Sequence, residues 1–230
     1  MKKIAGMILF AILALVLTAC SSGTSQGGYV AADEMVYDYD YDGYNDVLID
    51  DPCPFERQGE ITHVVIHFIS NVIANRENPY ILEDILGIFQ DYGVNAHYLI
   101  DRDGTIHSIV PENQIAFHAG SGSLEGFPEY EDNLNEHSIG IELFGIGTQE
   151  EMSQFLTADE YNALDPSLIG FTDAQYDALN RLLHDILARH PGIQPNRTHI
   201  IGHSEYAPDK PDPGVLFDWG RLDFMNTPRI

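Results

Sequence analysis

The sequence has little lysine, little cysteine and few basic side chains of any kind. Only 11 of its 230 residues are Lys or Arg, against 36 Asp and Glu, so the formal net charge is −25. This surplus of negative charge excludes nucleic acid as a partner, because phosphate backbones are bound by clustered Lys and Arg. Two cysteines exclude a disulfide scaffold. The 44% of hydrophobic residues is enough for one globular domain with a real core.

The N-terminus predicts an export signal. Lys2 and Lys3 precede an apolar run at residues 4–17, which is too short to span a bilayer comfortably and is followed by small residues. Leu17-Thr-Ala-Cys20 resembles the lipobox of bacterial lipoproteins. We therefore expect residues 1–20 to be a lipoprotein signal peptide, Cys20 to carry the lipid, palmitate included, and the protein to be exported and membrane-anchored in the cell envelope. An ordinary signal peptide with a chance cysteine is the alternative.

Residues 21–57 predict an acidic, Tyr/Asp-rich tether, because they show neither a helical nor a strand period. The segment from Asp38 to Asp46 matches the first nine positions of an oxygen-rich calcium loop. The twelfth position should be a bidentate Glu, and here it is Ile49. We therefore expect a solvated spacer rather than a calcium site.

Residues 58–225 predict one α/β domain, because strand and helix patterns alternate along them. Residues 101–104 are typical of a hairpin turn, and Thr172 to Gln175 predict a capping box at a helix start. Residues 148–170 are polar and predict an insertion that bears a short helix. The predicted strands are residues 61–68, 96–100, 105–110, 138–144 and 198–201, and the predicted helices run from about 79 to 93 and from 172 to 190.

Two histidines and an aspartate predict a metal site. His67 ends the first predicted strand, His203 follows the last one, and Asp212 comes nine residues later. Two imidazoles and one carboxylate leave a tetrahedral Zn²⁺ one open position for water, which is the catalytic arrangement. Asp209 is an alternative carboxylate.

Seven short motifs follow one another along the sequence in an order that is typical of one enzyme family. The motifs are Val65-Ile-His67, His97-Tyr-Leu-Ile-Asp-Arg-Asp-Gly-Thr105, Phe117-His-Ala-Gly120, Ser138-Ile-Gly-Ile-Glu142, Gly202-His-Ser-Glu-Tyr-Ala-Pro208, Asp212-Pro-Gly214 and Leu216-Phe-Asp-Trp219. Together they closely resemble the zinc-dependent N-acetylmuramoyl-L-alanine amidases of the type-2 amidase and peptidoglycan-recognition-protein family. The resemblance covers residues 58–222 and implies a central mixed β-sheet flanked by helices, with one Zn²⁺ per chain in an open groove.

The resemblance also implies roles for individual residues. His67, His203 and Asp212 would be the zinc ligands, Glu142 would transfer protons, and Lys210 would stabilise the reacting carbonyl. Lys210 stands out on its own account. Once residues 1–20 are removed it is the only lysine, and the charge becomes 9 − 36 = −27.

The groove is expected to bind peptidoglycan or muropeptides through His118, Phe117 and His97, although His97 could instead fill the core. The resemblance implies a monomeric hydrolase that cuts the amide between N-acetylmuramic acid and L-alanine. The alternative is a non-catalytic peptidoglycan-binding module of the same fold. Such binders typically have a non-ligand residue at one metal position, and here all three positions keep ligand residues.

Overall fold

The computed structural model describes residues 37–39, 45–47 and 55–226, with side chains for 55–224. Its strands form one mixed sheet in the order β1-β2-β5-β4-β6-β3-β7. The strands are β1 (Tyr37–Tyr39), β2 (Asn45–Val47), β3 (His63–Ile69), β4 (Tyr98–Ile100), β5 (Ile106–Ser108), β6 (Ser138–Phe144) and β7 (Ile200–Gly202). The helices are α1 (Leu82–Tyr92), α2 (Ala158–Asn162), α3 (Asp173–Arg189) and α4 (His203–Tyr206). Within residues 55–226, five short 3-10 helices occur at Pro128–Tyr130, Leu134–His137, Pro166–Leu168, Trp219–Arg221 and Asp223–Asn226.

The centre of the sheet is parallel. β3 pairs in parallel with β6 on one side and β7 on the other, and β6 pairs in parallel with β4. β4 and β5 form the predicted antiparallel hairpin. The predicted fold class, a central mixed β-sheet flanked by helices, is confirmed.

The two faces of β3 and β6 have different roles. On one face, Val64, Ile66, Ile139 and Ile141 pack in the main core with apolar residues of α3. Because side chains alternate along a strand, the residues between them project from the opposite face. That opposite face carries His63, Val65, His67, Ser138, Gly140 and Glu142.

Helix α3 begins where the sequence predicts. The Thr172 hydroxyl accepts the Gln175 N–H, and the Gln175 side chain accepts the Thr172 N–H, which confirms the capping box. The buried Gln175 amide also donates to the carbonyls of Ile100 and Phe144, the last residues of β4 and β6. One residue therefore caps the helix and ties it to two strands.

Two short strands lie inside the segment predicted to be a tether. β1 and β2 pair with each other, and β2 pairs in parallel with β5. Three-residue strands are too short to show a period, and their position depends on backbone hydrogen bonds to the sheet edge, so the sequence pattern did not reveal them. Apart from the backbone of β1 and β2, the signal peptide, Cys20, the tether up to residue 54 and the calcium-like segment lie outside the described residues. Across the described ranges, no helix has the length and apolar character needed to cross a membrane.

Residues 148–170 contain α2 and one 3-10 turn. Met152, Leu156 and Leu164 form a small core with Val72 and Ile146. This segment therefore packs on the domain as an ordered element beside the β6 end of the sheet.

Candidate metal centre

His67 and Glu142 lie side by side on the central strands. The parallel register of β3 and β6 pairs His67 directly with Glu142. His67 is buried, and the Glu142 Oε2 atom is shielded from solvent without a hydrogen-bond partner among the residues described. Burial, followed by the negative charge of Asp212, raises the pKa of Glu142 well above its ordinary value.

His203 and Asp212 reach the same place from the end of β7. His203 is the first residue of α4, directly after Gly202. The Ser204 N–H donates to the Asp212 carbonyl at 2.9 Å, which folds the loop back onto the start of the helix. A Cβ on Gly202 would lie 2.6 Å from the Pro213 ring, so this close approach requires glycine. Asp209 is exposed on the same loop, so Asp212, and not the alternative carboxylate, faces the histidines.

The three residues form a compact set of ligand atoms. His67 Nδ1 lies 2.7 Å from Asp212 Oδ2, and His203 Nδ1 lies 3.0 Å from the same oxygen. All three ligand atoms lie within 4.8 Å of one another. Burial opposes ionisation of Asp212, but the close contacts with His203 and His67 outweigh burial and lower the Asp212 pKa. Burial, followed by the neighbouring His203, lowers the pKa of His67.

The hydrogen bonds of His203 show that the donor set suits a cation. His203 Nε2 lies 3.0 Å from the Ala119 carbonyl oxygen, which can only accept, so this nitrogen carries the proton. In the neutral ring the lone pair of Nδ1 then faces the Asp212 carboxylate, and two electron-rich groups oppose each other at 3.0 Å. A metal ion held by these two residues would remove this repulsion. Two imidazoles and a carboxylate are the donors that catalytic zinc sites use.

Two residues predicted to contact substrate, His97 and His118, make hydrogen bonds inside the protein. His97 is fully buried, and its Nδ1 accepts the Gly140 N–H at 3.0 Å. Its Nε2 lies 3.0 Å from an Arg57 nitrogen, so the ring is enclosed on both edges and contributes to the core. His118 is buried behind His67, with 3.0 Å between His118 Nδ1 and His67 Nε2. Protein groups engage both rings, and the predicted substrate contacts of His97 and His118 stay predictions.

Phe117 and Lys210 are accessible to different degrees. The half-buried Phe117 ring packs edge-to-face on Phe55, with 5.8 Å between centroids. Lys210 lies two residues before Asp212, and its side chain is 38% exposed with Nζ 4.0 Å from Asp209 Oδ2. Both therefore stay available to a ligand.

Two residues that the sequence analysis did not identify, Arg57 and Asn135, hold the backbone of segments next to the site by hydrogen bonds. Arg57, the last residue of the predicted tether, donates to the carbonyls of Gln114 and Ser138, each at 3.0 Å. Asn135 Oδ1 accepts the N–H groups of His118 and Ala119, at 3.1 and 2.8 Å. Neither residue carries a local signal in the sequence, because its partners are distant along the chain.

The fold and this cluster define an α/β protein with two histidines and one aspartate that could hold a metal ion. The chain belongs to the N-acetylmuramoyl-L-alanine amidase family, whose profile matches residues 57–215. The chain is 38% identical over 136 residues to the 1,6-anhydro-N-acetylmuramyl-L-alanine amidase AmpD of Citrobacter freundii, a match that spans 59% of this chain and 58% of that relative. The first curated relatives are thus matched over less than two thirds of their length.

Two solved structures are similar in fold. A selenomethionine derivative of AmpD superposes with a TM-score of 0.56 and 28% identity, covering 82% of this chain and 97% of that one. The Escherichia coli amidase AmiD, in complex with anhydro-N-acetylmuramic acid-L-Ala-D-γ-Glu-L-Lys, has a TM-score of 0.52 and 29% identity, covering 80% of this chain and 63% of that one.

The comparisons contradict the predicted localisation. The AmpD relatives are cytoplasmic enzymes of peptidoglycan recycling. By this comparison, the prediction of an exported, membrane-anchored lipoprotein is wrong. That prediction depended on residues 1–20, which lie outside both the described residues and the matched range of 57–215, so nothing in the folded domain supported it.

Proposed function

We propose that this chain hydrolyses the amide bond between N-acetylmuramic acid and the L-alanine of a peptidoglycan stem peptide. The observation that carries the proposal is the shielded Glu142 carboxyl, placed by strand register beside a complete set of metal-ligating residues. Membership of the amidase family gives this arrangement its reaction. The catalytic domain is residues 58–225, acting as a monomer.

We assign one Zn²⁺ to His67, His203 and Asp212. When bound there, zinc polarises the scissile carbonyl and activates water for attack. With Zn²⁺ bound by two neutral imidazoles and one carboxylate, the site would carry a net positive charge. That charge would stabilise the negative charge that develops on the amide oxygen.

Glu142 is the proposed general base and acid. Its carboxylate accepts a proton from the attacking water and returns it to the departing amine of L-alanine. Burial, followed by Asp212, raises the pKa of Glu142, so this carboxyl holds a proton more readily than an exposed glutamate, as the acid half of the role requires.

Lys210 is the proposed partner of the carbonyl oxygen. Its ammonium group lies on the loop that carries Asp212 and is partly exposed, so it can approach a bound substrate. Removing one such donor typically lowers turnover by about 10²- to 10³-fold. Phe117 is proposed to contact the substrate in the same groove.

Muropeptides are the proposed substrates. The names of the AmpD relatives specify 1,6-anhydro-N-acetylmuramyl-L-alanine, and the AmiD structure contains an anhydro-muramyl tripeptide. The peptide part of the substrate would lie in the groove beside the metal centre. The proposed reaction does not require calcium at residues 38–46.

The test is product analysis with the full chain. The purified protein with one equivalent of Zn²⁺ is incubated with N-acetylmuramyl-L-Ala peptides and their 1,6-anhydro forms, and products are resolved by mass. We expect release of peptides that begin with L-alanine. Absence of release, while a known amidase cleaves the same preparation, would leave the peptidoglycan-binding module as the better description.

The variant Glu142→Gln tests the proposed base, because glutamine keeps the size and shape of the glutamate side chain and lacks its carboxylate. We expect zinc binding and folding to be retained while turnover falls by about 10²- to 10⁴-fold. Turnover within a few-fold of the original protein would exclude Glu142 as the general base.

A further inference from the structure

A chain of buried hydrogen bonds leads from the metal centre into the protein. His67 Nε2 lies 3.0 Å from His118 Nδ1, and His118 Nε2 lies 3.2 Å from the Ser138 hydroxyl. That hydroxyl donates to the Leu134 carbonyl at 2.7 Å. His67, His118 and Ser138 are exposed by only 2%, 8% and 0%, so water does not compete for these contacts.

The Leu134 carbonyl, where this series of hydrogen bonds ends, determines which group donates in each of them. A carbonyl oxygen only accepts, so the single Ser138 hydroxyl proton points to Leu134. The Ser138 oxygen must then accept from His118 Nε2–H, which leaves His118 Nδ1 without a proton in the neutral ring. His118 Nδ1 can in turn only accept, and its donor is His67 Nε2–H. The remaining nitrogen of His67, Nδ1, keeps its lone pair on the side of Asp212.

The local sequence holds the His118 ring in this position. A Cβ on Gly140 would lie 2.4 Å from the ring of His118, so only glycine at this point of β6 leaves room for it. The Asn135 side chain accepts the N–H groups of His118 and Ala119 and so fixes the turn. The Ala119 carbonyl in the same turn accepts from His203 Nε2. A single turn therefore orients both imidazoles of the metal centre.

We propose that His118, held by Ser138, is a positioning residue that fixes the ring orientation and tautomer of His67 for zinc. The inference depends on the proposed zinc site. Hydrogen-bond partners of this kind typically change metal affinity about 10- to 100-fold when they are removed. His118 is thereby assigned to the metal and not to the substrate.

The first test measures zinc affinity by competition with a chromophoric chelator, in the full chain. His118→Phe keeps a flat ring but removes the acceptor, and we expect zinc affinity to fall about 10- to 100-fold. His118→Asn places an oxygen close to the former Nδ1 position, and we expect it to recover most of that loss. His107→Phe is the control, because it replaces another buried histidine on β5, two strands away from β6, and should leave zinc affinity unchanged.

Ser138→Ala keeps the test valid if His118→Phe does not fold. It removes only the hydroxyl that orients His118, so we expect a smaller loss of zinc affinity with an unchanged circular dichroism spectrum. Equal zinc affinity in the original protein, His118→Phe and Ser138→Ala would overturn the inference. Failure of the original protein to bind zinc would instead overturn the proposed function, so the two failures are distinct.

A spectroscopic readout tests the tautomer directly. Long-range ¹H–¹⁵N spectra of the zinc-loaded, histidine-labelled protein should show His118 protonated at Nε2 and bare at Nδ1. Protonation at Nδ1 contradicts the inference, because that nitrogen could then not accept from His67.

Discussion

At the scale of single residues, β6 shows how one short motif serves two surfaces. Ile139 and Ile141 pack into the main core, whereas Ser138, Gly140 and Glu142 face the metal centre. Ser138 holds the His118 ring, Gly140 leaves space for it, and Glu142 lies beside His67. Strand alternation alone puts these three residues on one face, so the motif has a structural role beside the catalytic one proposed for Glu142.

Gly140→Ala tests the space that the His118 ring needs. The added Cβ would lie 2.4 Å from the ring, so the strand or the ring must move. We expect a loss of about 1–3 kcal/mol in the free energy of unfolding. Urea denaturation with chelator present measures this without any contribution from zinc.

The matched control is Gly87→Ala in α1, where an added Cβ has no atom within 4 Å. Alanine there should stabilise the protein by about 0.5–1 kcal/mol, because glycine inside a helix has a large entropic cost. Equal effects at the two positions would show that the His118 ring does not limit the space at Gly140.

At the scale of elements, residues 148–170 are tied to the loop that carries Asp212. Glu151 Oε1 accepts the Val215 N–H at 2.7 Å, and Oε2 accepts the Thr148 N–H at 2.7 Å. One carboxylate therefore joins the start of the predicted insertion to the residues that follow Asp212, the proposed metal ligand. The Val215 side chain is 80% exposed, so this junction also presents an apolar surface beside the site.

Glu151→Ala removes the two carboxylate oxygens that accept the N–H groups of Val215 and Thr148. We expect a loss of about 1–3 kcal/mol in the free energy of unfolding, since two backbone N–H groups lose their partners. Zinc affinity should fall as well, because the Asp212 loop loses an anchor. Glu150→Ala, at the exposed neighbouring position, should stay within about 0.5 kcal/mol of the original protein. If Glu150→Ala matches Glu151→Ala, the effect comes from charge alone.

At the scale of the whole molecule, the buried histidines make stability depend on pH. His63 packs against His199 and Phe127, each at 4.9 Å between ring centroids. Burial, followed by His199, lowers the pKa of His63 to about 4. Burial, followed by Arg57, lowers the pKa of His97 to about 3. Both rings therefore stay neutral in the folded protein at pH values where they are protonated in the unfolded chain.

We expect the metal-free protein to lose stability as pH falls from about 6.5 towards 4. Below the unfolded pKa of about 6.5 the unfolded chain binds protons that the folded protein does not, so each of these histidines costs about 2 kcal/mol by about pH 4.5. Above about pH 6.5 both states are neutral at these sites and the contribution is flat. Urea denaturation at several pH values, with chelator present, measures the slope.

His63→Phe is the variant for this prediction. It keeps an aromatic ring in the cluster and removes one titrating group, so the dependence of unfolding free energy on pH between about 6.5 and 4.5 should become shallower. An unchanged slope would mean that His63 is not among the groups that resist protonation on folding.

Much of the fold could be predicted because its signals are local. β6 matches the predicted residues 138–144, and the Thr172 capping box begins α3 as expected. Helix α1 ends at Gly93, whose φ of 63° is a left-handed conformation that favours glycine. The strands β1 and β2 were missed because three residues show no period, and because β2 pairs with β5, which is distant in the sequence.

The alternation of strands and helices is readable from the sequence alone, and so are His67, His203 and Asp212 as candidate ligands. Alternation, caps and ordered motifs are properties of neighbouring residues, so they are readable along the chain. Only the tertiary structure decided which way each histidine ring faces. His97 and His118 have the sequence context of groove residues. In the folded protein, His97 accepts a hydrogen bond from Gly140 and His118 donates one to Ser138, and both rings are buried. A buried polar ring must satisfy both nitrogens, and its partners are known only once the chain has folded.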